Sequence, residues 1–428
     1  MKVSRIALGA ALALGGSAVL LTPAAEAQRA PRGNQQQQAQ APAQPQGRQL
    51  NLSREERTVL APLEAAARGT DRAAQDAALT AARPVVRGPD ARYAFARYEM
   101  LIAIQRNDNA ALSRAVDMAI DSGVAPPEEL LVYLNSQAQL ATDARDFPKA
   151  ERALNRLVQI QPNDPETLVR LGQVRINQGR APEGLQLIQR AISARQAAGQ
   201  TVPESWYTYA LRTAFDSRDQ AMRGQSGALA RGLVTAYPTA ANWRDALLIY
   251  RETNTLDAQT LIDVSRLMRA AGALAGERDY YDLADALNRG GYPGEAKAVI
   301  DDGVARGHIS ATAPAFRDIL AAATPRIAED RRELPASITA ANAAATGTAA
   351  LRTADALLGY GRYAEAITLY RTALTKGGVD ANLVNTRLGM ALALSGNRAE
   401  AETAFRAVTG PRAELAAYWL LYASQPRR

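Results

Sequence analysis

Pairs of carboxylates are the first feature of this sequence that could do chemistry. Asp301 and Asp302 are adjacent, and the segment from Asp279 to Asp285 carries further acidic residues. Two carboxylates a few ångströms apart can act as acid and base in glycoside hydrolysis. Solvated helix faces also produce such pairs often, because charged residues are common there. A hydrolase that uses Asp/Glu pairs is therefore kept only as a third alternative.

Histidine and cysteine are almost missing. His308 is the single histidine, and none of the 428 residues is a cysteine. The composition excludes disulfides and thiol nucleophiles, and a zinc site normally needs several His or Cys ligands. The glycine-rich segment around Gly290 and Gly291 lacks the Lys-Ser/Thr of a phosphate-binding loop. We therefore predict no catalytic residue, no metal and no cofactor: the protein is expected not to be an enzyme.

The N-terminus has the layout of a secretory signal peptide. Lys2 and Arg5 precede an apolar run from Ile6 to Leu21, and small residues lead up to Ala27. The run is shorter than the roughly 20 residues that span a bilayer. We expect cleavage after Ala27 (signal peptide 1–27) and a periplasmic protein, with full secretion left open. No later segment is apolar enough to span a membrane.

Residues 28–49 are rich in Gln, Pro and Ala and have little to bury, so they are predicted to be a disordered linker. The net charge is +7, from 50 basic and 43 acidic residues spread along the chain. Dispersed charge together with an export signal argues against a nucleic-acid partner. From about Leu50 onward, apolar residues recur at helical spacing between short Gly, Pro, Asn or Asp breaks, and no segment alternates as a strand would.

The helical part repeats itself. A shift of 34 residues within 131–198 superimposes Leu134 on Leu168 and Leu154 on Ile188. Near the C-terminus the run from Gly361 to Ala366 is similar to the run from Gly396 to Ala401, 35 residues later. Large aromatic residues continue the phase between these segments at intervals of 37, 37 and 36 residues, namely Trp206, Trp243, Tyr280 and Phe316.

These residues resemble the tetratricopeptide repeat family, whose 34-residue unit is a helix–turn–helix. Leu171-Gly172, Gly179, Ile188 and Ala191 match its large and small positions. The resemblance implies an all-α fold, a right-handed superhelix (solenoid) of about ten helix pairs plus a capping helix. It implies divergent units at 50–130, two units at 131–198, divergent units at 199–346, and two units with the capping helix at 347–428. Pro325 is expected to interrupt the stretch 310–346.

The family binds its partners on the concave face, which is lined by the first helix of each unit. Carried over by position, this implies a partner-binding face made of two groups of residues. They are Asn135, Gln139, Gln173 and Asn177 in the regular units, and Tyr207, Arg244, Arg251, Arg278, Tyr281, Asn288 and Arg289 in the middle units.

The last two units instead place apolar residues at these positions: Leu351, Leu358, Leu383, Met390 and Leu394. An amphipathic partner helix could cover that face, but we favour the chain's own last helix, Ala413 to Ser424. The preferred function is a non-enzymatic scaffold of the cell envelope that binds a protein or peptide. The alternative is a scaffold for exopolysaccharide or cellulose synthesis or export, in which the Arg/Tyr face would bind an anionic polysaccharide.

Overall fold

The computed structural model describes residues 49–425, which fall into two compact units. Unit 1 is Met1–Thr201, of which residues 49–201 are described. Unit 2 is Val202–Arg428, of which residues 202–425 are described. The predicted signal peptide and all but the last residue of the predicted linker lie outside the described residues. Between residues 49 and 425, no helix combines the length and apolarity that a membrane span requires.

Unit 1 is built from four consecutive helix pairs in its described part. In each pair a short connection reverses the chain, so that two amphipathic helices pack side by side. The pairs are α1 (Arg54–Arg68) with α2 (Arg72–Ala82), α3 (Pro89–Arg106) with α4 (Asn109–Asp121), α5 (Pro127–Asp143) with α6 (Phe147–Ile160), and α7 (Pro165–Asn177) with α8 (Ala181–Ala197).

Short polar side chains begin several of these helices. Ser53 and Glu56 form a reciprocal cap at the start of α1, in which each side chain accepts a hydrogen bond from the other residue's backbone N–H. Asp146 caps α6 and Asp164 caps α7 by accepting hydrogen bonds from the N–H groups three residues later. These contacts satisfy donors that a helix N-terminus otherwise leaves unpaired, so the chain breaks read from the sequence become helix starts.

The small repeat positions permit close helix contact. A Cβ atom on Gly172 of α7 would lie 2.7 Å from the carbonyl oxygen of Gly184 and 2.8 Å from Ile188 Cγ1, both in α8. Only glycine fits this crossing without moving a backbone. The small residue expected at Gly172 therefore lies at a close helix contact, and Leu168 and Ile188 are fully buried beside it.

Unit 2 also consists of helices throughout its described part. Three pairs come first: α9 (Glu204–Phe215) with α11 (Ser226–Ala236), joined through the short α10 (Gln220–Arg223); α12 (Ala240–Thr253) with α13 (Ala258–Ala270); and α14 (Gly276–Arg289) with α15 (Pro293–Ala305). A single helix, α16 (Pro314–Ala343), follows. The remaining helices are α17 (Thr348–Gly359) with α18 (Tyr363–Lys376), α19 (Ala381–Ser395) with α20 (Arg398–Arg406), and α21 (Ala413–Ser424). The all-α architecture of helix pairs is thus confirmed.

The stretch expected to be interrupted by prolines is instead one helix of 30 residues, α16. Pro325 and Pro335 lie on its exposed side, where their rings face solvent. Each removes a backbone hydrogen bond at a cost of about 3 kcal/mol. Burial of the opposite face, which includes Phe316 and Ile327, offsets this cost because α16 packs against α14, α15 and α17. The eighth of the expected helix pairs is therefore replaced by one helix.

This replacement reverses the order of the layers in unit 2. Successive helices alternate between two layers, because every connection turns the chain back. In one layer α14 contacts α16 and α16 contacts α18; in the other, α15 contacts α17, α17 contacts α19 and α19 contacts α21. Since α16 is one helix and not two, the first helices α17 and α19 lie in the layer of the second helices α13 and α15. We call α13, α15, α17, α19 and α21 the inner layer.

Candidate functional site

The predicted residues of unit 1 share one face of α5 and α7. The Arg170 guanidinium bridges the two helices, with Nη1 donating to Asn135 Oδ1 at 2.8 Å and Nη2 donating to the Asn135 carbonyl oxygen at 3.2 Å. Gln139 follows Asn135 by one helical turn, and Gln173 follows Arg170 in the same way. Together with Asn177, these amides form what we call the amide row: Asn135, Gln139, Gln173 and Asn177.

The amide row is accessible over most of its length. Asn177 is exposed, and the other three amides are half-buried. Gln139 Nε2 donates to Asp143 Oδ1 at 2.9 Å, and burial lowers the pKa of the Arg170 guanidinium beside the row. The Asn135 amide is engaged within unit 1, because its Nδ2 donates to the Leu131 carbonyl oxygen at 2.9 Å and its Oδ1 accepts from Arg170. Each of the other amide side chains offers both a donor and an acceptor, which matches the alternating groups of a peptide backbone.

The predicted residues of α12 and α14 are engaged in contacts within unit 2. Arg244 forms an ion pair with Asp279 and donates to the Ala273 carbonyl oxygen at 3.2 Å, which ties α12 to α14. Arg289 pairs with Asp285 at 2.9 Å, on the surface of α14. The arginines that would bind an anionic polysaccharide are therefore already paired with carboxylates.

The other predicted arginines of these helices lie apart from one another. Arg278 is exposed and lies 3.7 Å from Asp282 one turn away, while Arg251 is half-buried near the end of α12. Such exposed pairs within one helix contribute little to stability or recognition. These two residues do not converge on a common site.

Three further predicted residues serve the packing of unit 2. Asn288 accepts hydrogen bonds from Arg326 of α16, at 2.9 Å to its carbonyl oxygen, and the Tyr281 ring meets Phe316 edge-on at 6.1 Å. Tyr207 was expected on a binding face, but it is only 3% exposed. Its ring fills the space beside Gly232 of α11, so that prediction is wrong.

A cavity of about 640 Å³ lies inside unit 2, lined by residues of the inner layer and α16. Its apolar floor includes Leu358, Met390 and Leu394, three of the apolar positions picked out from the sequence, together with Trp419 of α21. None of the predicted α12 and α14 residues line it, because those helices occupy the other layer. The reversal at α16 thus decides which side chains face the cavity.

Behind this cavity lies a buried ionic cluster centred on Asp263 of α13. The Asp263 carboxylate is 0% exposed and accepts hydrogen bonds from Arg266 and Arg412 at 2.8 Å each, and from Arg387 at 3.4 Å. Burial alone would raise its pKa, but the three guanidinium groups hold the pKa of Asp263 below its usual value. One carboxylate therefore joins α13, α19 and the turn before α21.

Two more carboxylates complete the cluster. Arg387 Nη1 donates to Asp355 of α17 at 2.6 Å, and the Tyr370 hydroxyl donates to the same carboxyl at 2.7 Å. Burial raises the pKa of Asp355 in spite of Arg387. Arg266 forms a two-point pair with Glu295 of α15, at 2.9 and 2.5 Å. The cluster thus connects every helix of the inner layer, and the sequence analysis missed it.

The last helix packs within unit 2, and its Trp419 borders the same cavity as Leu358, Met390 and Leu394. Trp419 of α21 is fully buried, and its Nε1 donates to the Asp263 carbonyl oxygen at 3.4 Å. The Tyr418 ring lies 6.3 Å from Trp243 and 5.7 Å from Tyr250, both in α12. Helix α21 is therefore part of the core of unit 2.

The acidic pairs considered for hydrolysis are engaged in ion pairs. Asp301 lies 2.7 Å from Lys297, and Asp302 lies 3.0 Å from Arg306, each one helical turn away. In the described range, no group of three or more His, Cys, Asp or Glu residues is arranged to hold a metal ion. These acids belong to charged pairs at the cavity rim and on helix faces.

Comparison with known proteins gives only distant likenesses. No family model and no curated protein matches the sequence. A chain in the "Structure of Naa15/Naa10 bound to HypK-THB" is 12% identical with a TM-score of 0.25, and the match covers 85% of this chain but only 64% of that one. A chain in the "Crystal Structure of the Yeast Tom70" is 9% identical with a TM-score of 0.20, and coverage is 78% and 95%. The fold assignment rests on the helix pairs described above.

Proposed function

We propose that this protein is a non-enzymatic scaffold that binds a protein or peptide partner. The observation that carries the proposal is the amide row of unit 1, where side chains from two successive repeats are brought side by side. A partner that lies across the row contacts both repeats at once. Arg170 holds the two helices in register through Asn135.

An extended peptide is the ligand that these groups suit best. Gln139 and Gln173 can each accept a backbone N–H and donate to a backbone carbonyl. A net hydrogen bond of this kind contributes about 1 kcal/mol, so that affinity depends on several of them together. Arg244 and Arg289, by contrast, are paired with carboxylates of this chain, so these two arginines are not free to bind an anionic polysaccharide.

We further propose that the scaffold acts in the bacterial cell envelope after export. The layout of residues 1–27 supports this proposal. Fractionation of producing cells and N-terminal sequencing of the purified protein test it. A mature N-terminus at Gln28 in the periplasmic fraction is expected, whereas an intact N-terminus in the cytoplasm would contradict export.

Affinity capture tests the binding function itself. The chain from Gln28 to the C-terminus serves as bait, and a reproducible protein partner is expected. Replacing Gln139 and Gln173 together by alanine should weaken binding by at least about thirtyfold, because each glutamine loses at least one hydrogen bond of about 1 kcal/mol. Gln186→Ala is the matched control, since Gln186 is exposed on the second helix α8. Capture that is equal for both variants would refute the amide row as the site.

A further inference from the structure

We propose that the cavity of unit 2 binds a short acidic peptide segment that carries an aliphatic side chain. This site is separate from the amide row and does not depend on the function proposed for unit 1. The cavity measures about 640 Å³. Ligand pockets generally range from roughly 300 to 1,000 Å³, so a few peptide residues fit and a whole helix does not.

The basic residues that line the cavity outnumber the acidic ones, so positive charge remains available to a ligand. Among the residues that line it, Glu295 is bonded to Arg266, Asp301 to Lys297 and Asp302 to Arg306. Each acid thus already has a basic partner.

One lining arginine remains without a carboxylate partner. Arg331 is exposed and lies over the Tyr360 ring at 6.0 Å, and no carboxylate within residues 49–425 forms a salt bridge with it. Arg269, by contrast, donates to the Ala298 carbonyl oxygen and forms a 3.9 Å salt bridge with Asp302. A guanidinium group binds a carboxylate with two parallel hydrogen bonds, so the position of Arg331 suits an acidic side chain.

The apolar residues of the cavity floor would recognise the aliphatic side chain of the peptide. Leu394 is half-buried there, next to Leu358, which is 6% exposed, and to the fully buried Met390 and Trp419. An aliphatic side chain that leaves water for this floor should improve affinity by about ten- to a hundredfold. A small inorganic anion has no group to place there.

The mixture of charges distinguishes a peptide from a purely anionic ligand. The rim carries carboxylates of Asp301 and Asp302 as well as the arginines, and a carboxylate oxygen can accept a backbone N–H. A peptide brings backbone N–H donors, acidic acceptors and an aliphatic side chain, whereas an anionic glycan has no aliphatic side chain to place on the apolar floor. The peptide is therefore the ligand that all parts of the cavity match.

The aromatic ring beneath Arg331 is fixed in place by its packing. The Tyr360 ring lies directly over Gly294, where a Cβ atom would overlap it. The Tyr360 hydroxyl donates to Asp330 Oδ2 at 2.9 Å, next in sequence to Arg331. These contacts hold the Tyr360 ring in place, and the Arg331 guanidinium lies over that ring.

Calorimetric titration of the full mature chain at low salt tests the proposal. The probe is acetyl-Gly-Asp-Leu-Asp-Gly-amide, whose blocked ends leave only the side chains charged. The comparison peptides replace both aspartates by lysine, or the leucine by glycine. We expect saturable binding of the first peptide, no measurable binding of the lysine peptide, and at least tenfold weaker binding of the glycine peptide.

Two variants assign the binding to the cavity. Arg331→Ser should weaken binding about fivefold, which corresponds to the loss of one partly exposed ion pair. Arg332→Ser is the matched control, because Arg332 is the neighbouring exposed arginine and does not line the cavity. Unchanged circular dichroism and melting temperature would show that both variants are folded.

Several results would overturn the inference. An absence of binding of the acidic peptide at millimolar concentration would refute the site. The same conclusion would follow if the lysine peptide bound as tightly as the acidic peptide, or if Arg331→Ser and Arg332→Ser weakened binding equally. Binding that is lost in Gln139→Ala with Gln173→Ala, and kept in Arg331→Ser, would move the peptide to unit 1. That last result would support the function proposed for unit 1 while refuting the cavity.

Discussion

Replacing Asp263 by asparagine should destabilise unit 2 strongly. Asparagine keeps the size of the side chain and removes its negative charge. The carboxylate of Asp263 accepts from Arg266, Arg387 and Arg412. After the change, three buried or nearly buried guanidinium groups face only the carboxylates of Glu295 and Asp355 and the largely exposed Asp257.

The expected loss follows from the geometry of Arg412. This residue would keep only Asp257, at 3.7 Å, and the Asp257 side chain is 67% exposed. Removing one partner of a buried ion pair costs about 3–5 kcal/mol, because an uncompensated charge stays buried. The loss is therefore comparable to a large fraction of the 5–15 kcal/mol, in round figures, that stabilises a typical domain.

Urea unfolding followed by tryptophan fluorescence measures this effect in unit 2 alone. All three tryptophans of the chain, Trp206, Trp243 and Trp419, lie in unit 2. Asp301→Asn is the control, because it removes a carboxylate from the exposed pair with Lys297 and should cost at most about 1 kcal/mol.

A comparison of the two variants shows whether the charge of Asp263 stabilises the inner layer. If Asp263→Asn lowers the free energy of unfolding by less than about 1 kcal/mol, or by no more than Asp301→Asn does, the charge at position 263 does not hold the inner layer together. The buried cluster would then be a consequence of the packing and not one of its causes.

Three further predictions concern the same core and the repeat of unit 1. Replacing Gly172 by valine should destabilise unit 1 by about 1–3 kcal/mol, since the new side chain meets the Gly184 carbonyl oxygen; far-UV circular dichroism should register the loss while the tryptophan emission stays unchanged. Replacing Trp419 by alanine should cost unit 2 about 3–5 kcal/mol and shift the emission of Trp243, and a wild-type urea midpoint would contradict the assignment of α21 to the core. The stability of unit 2 should also fall in acid. The pKa of Asp263 is lowered on folding, so its contribution is present above the unfolded pKa of about 3.9 and is lost as the pH falls through the folded pKa. The Asp263→Asn variant should lack this part of the acid dependence, and an identical pH profile would count against it.

The repeat of unit 1 could be predicted from residue spacing because its determinants are local. Leu168, Gly172 and Ile188 stand at fixed distances along two short helices, and each packs against a residue fewer than about 35 positions away. Amphipathic periodicity and short capping residues are sufficient to define such helices. The faces of α5 and α7, and hence the amide row, follow directly.

The buried cluster of unit 2 was not predicted, although it left a faint signal. Asp263 stands between Ile262 and Val264, and Arg387 lies beside Leu388 in a largely apolar helix. A charged residue at an apolar position suggests a buried partner but does not identify it. Asp263 and Arg387 are 124 residues apart, and only the closure of the inner layer brings them together.

By itself, the sequence determined that this protein is a chain of helix pairs, where its regular repeats lie, and that a last helix follows them. It left open whether that helix or a partner helix covers the apolar positions of the last two units. The tertiary structure decided which helices surround the cavity. Burial of Phe316 and Ile327 keeps α16 as one helix in spite of Pro325 and Pro335. One helix in the place of two moves α17 and α19 into the layer of α13 and α15. The layer in which a helix lies depends on how many helices precede it in unit 2. No local pattern of residues specifies that number.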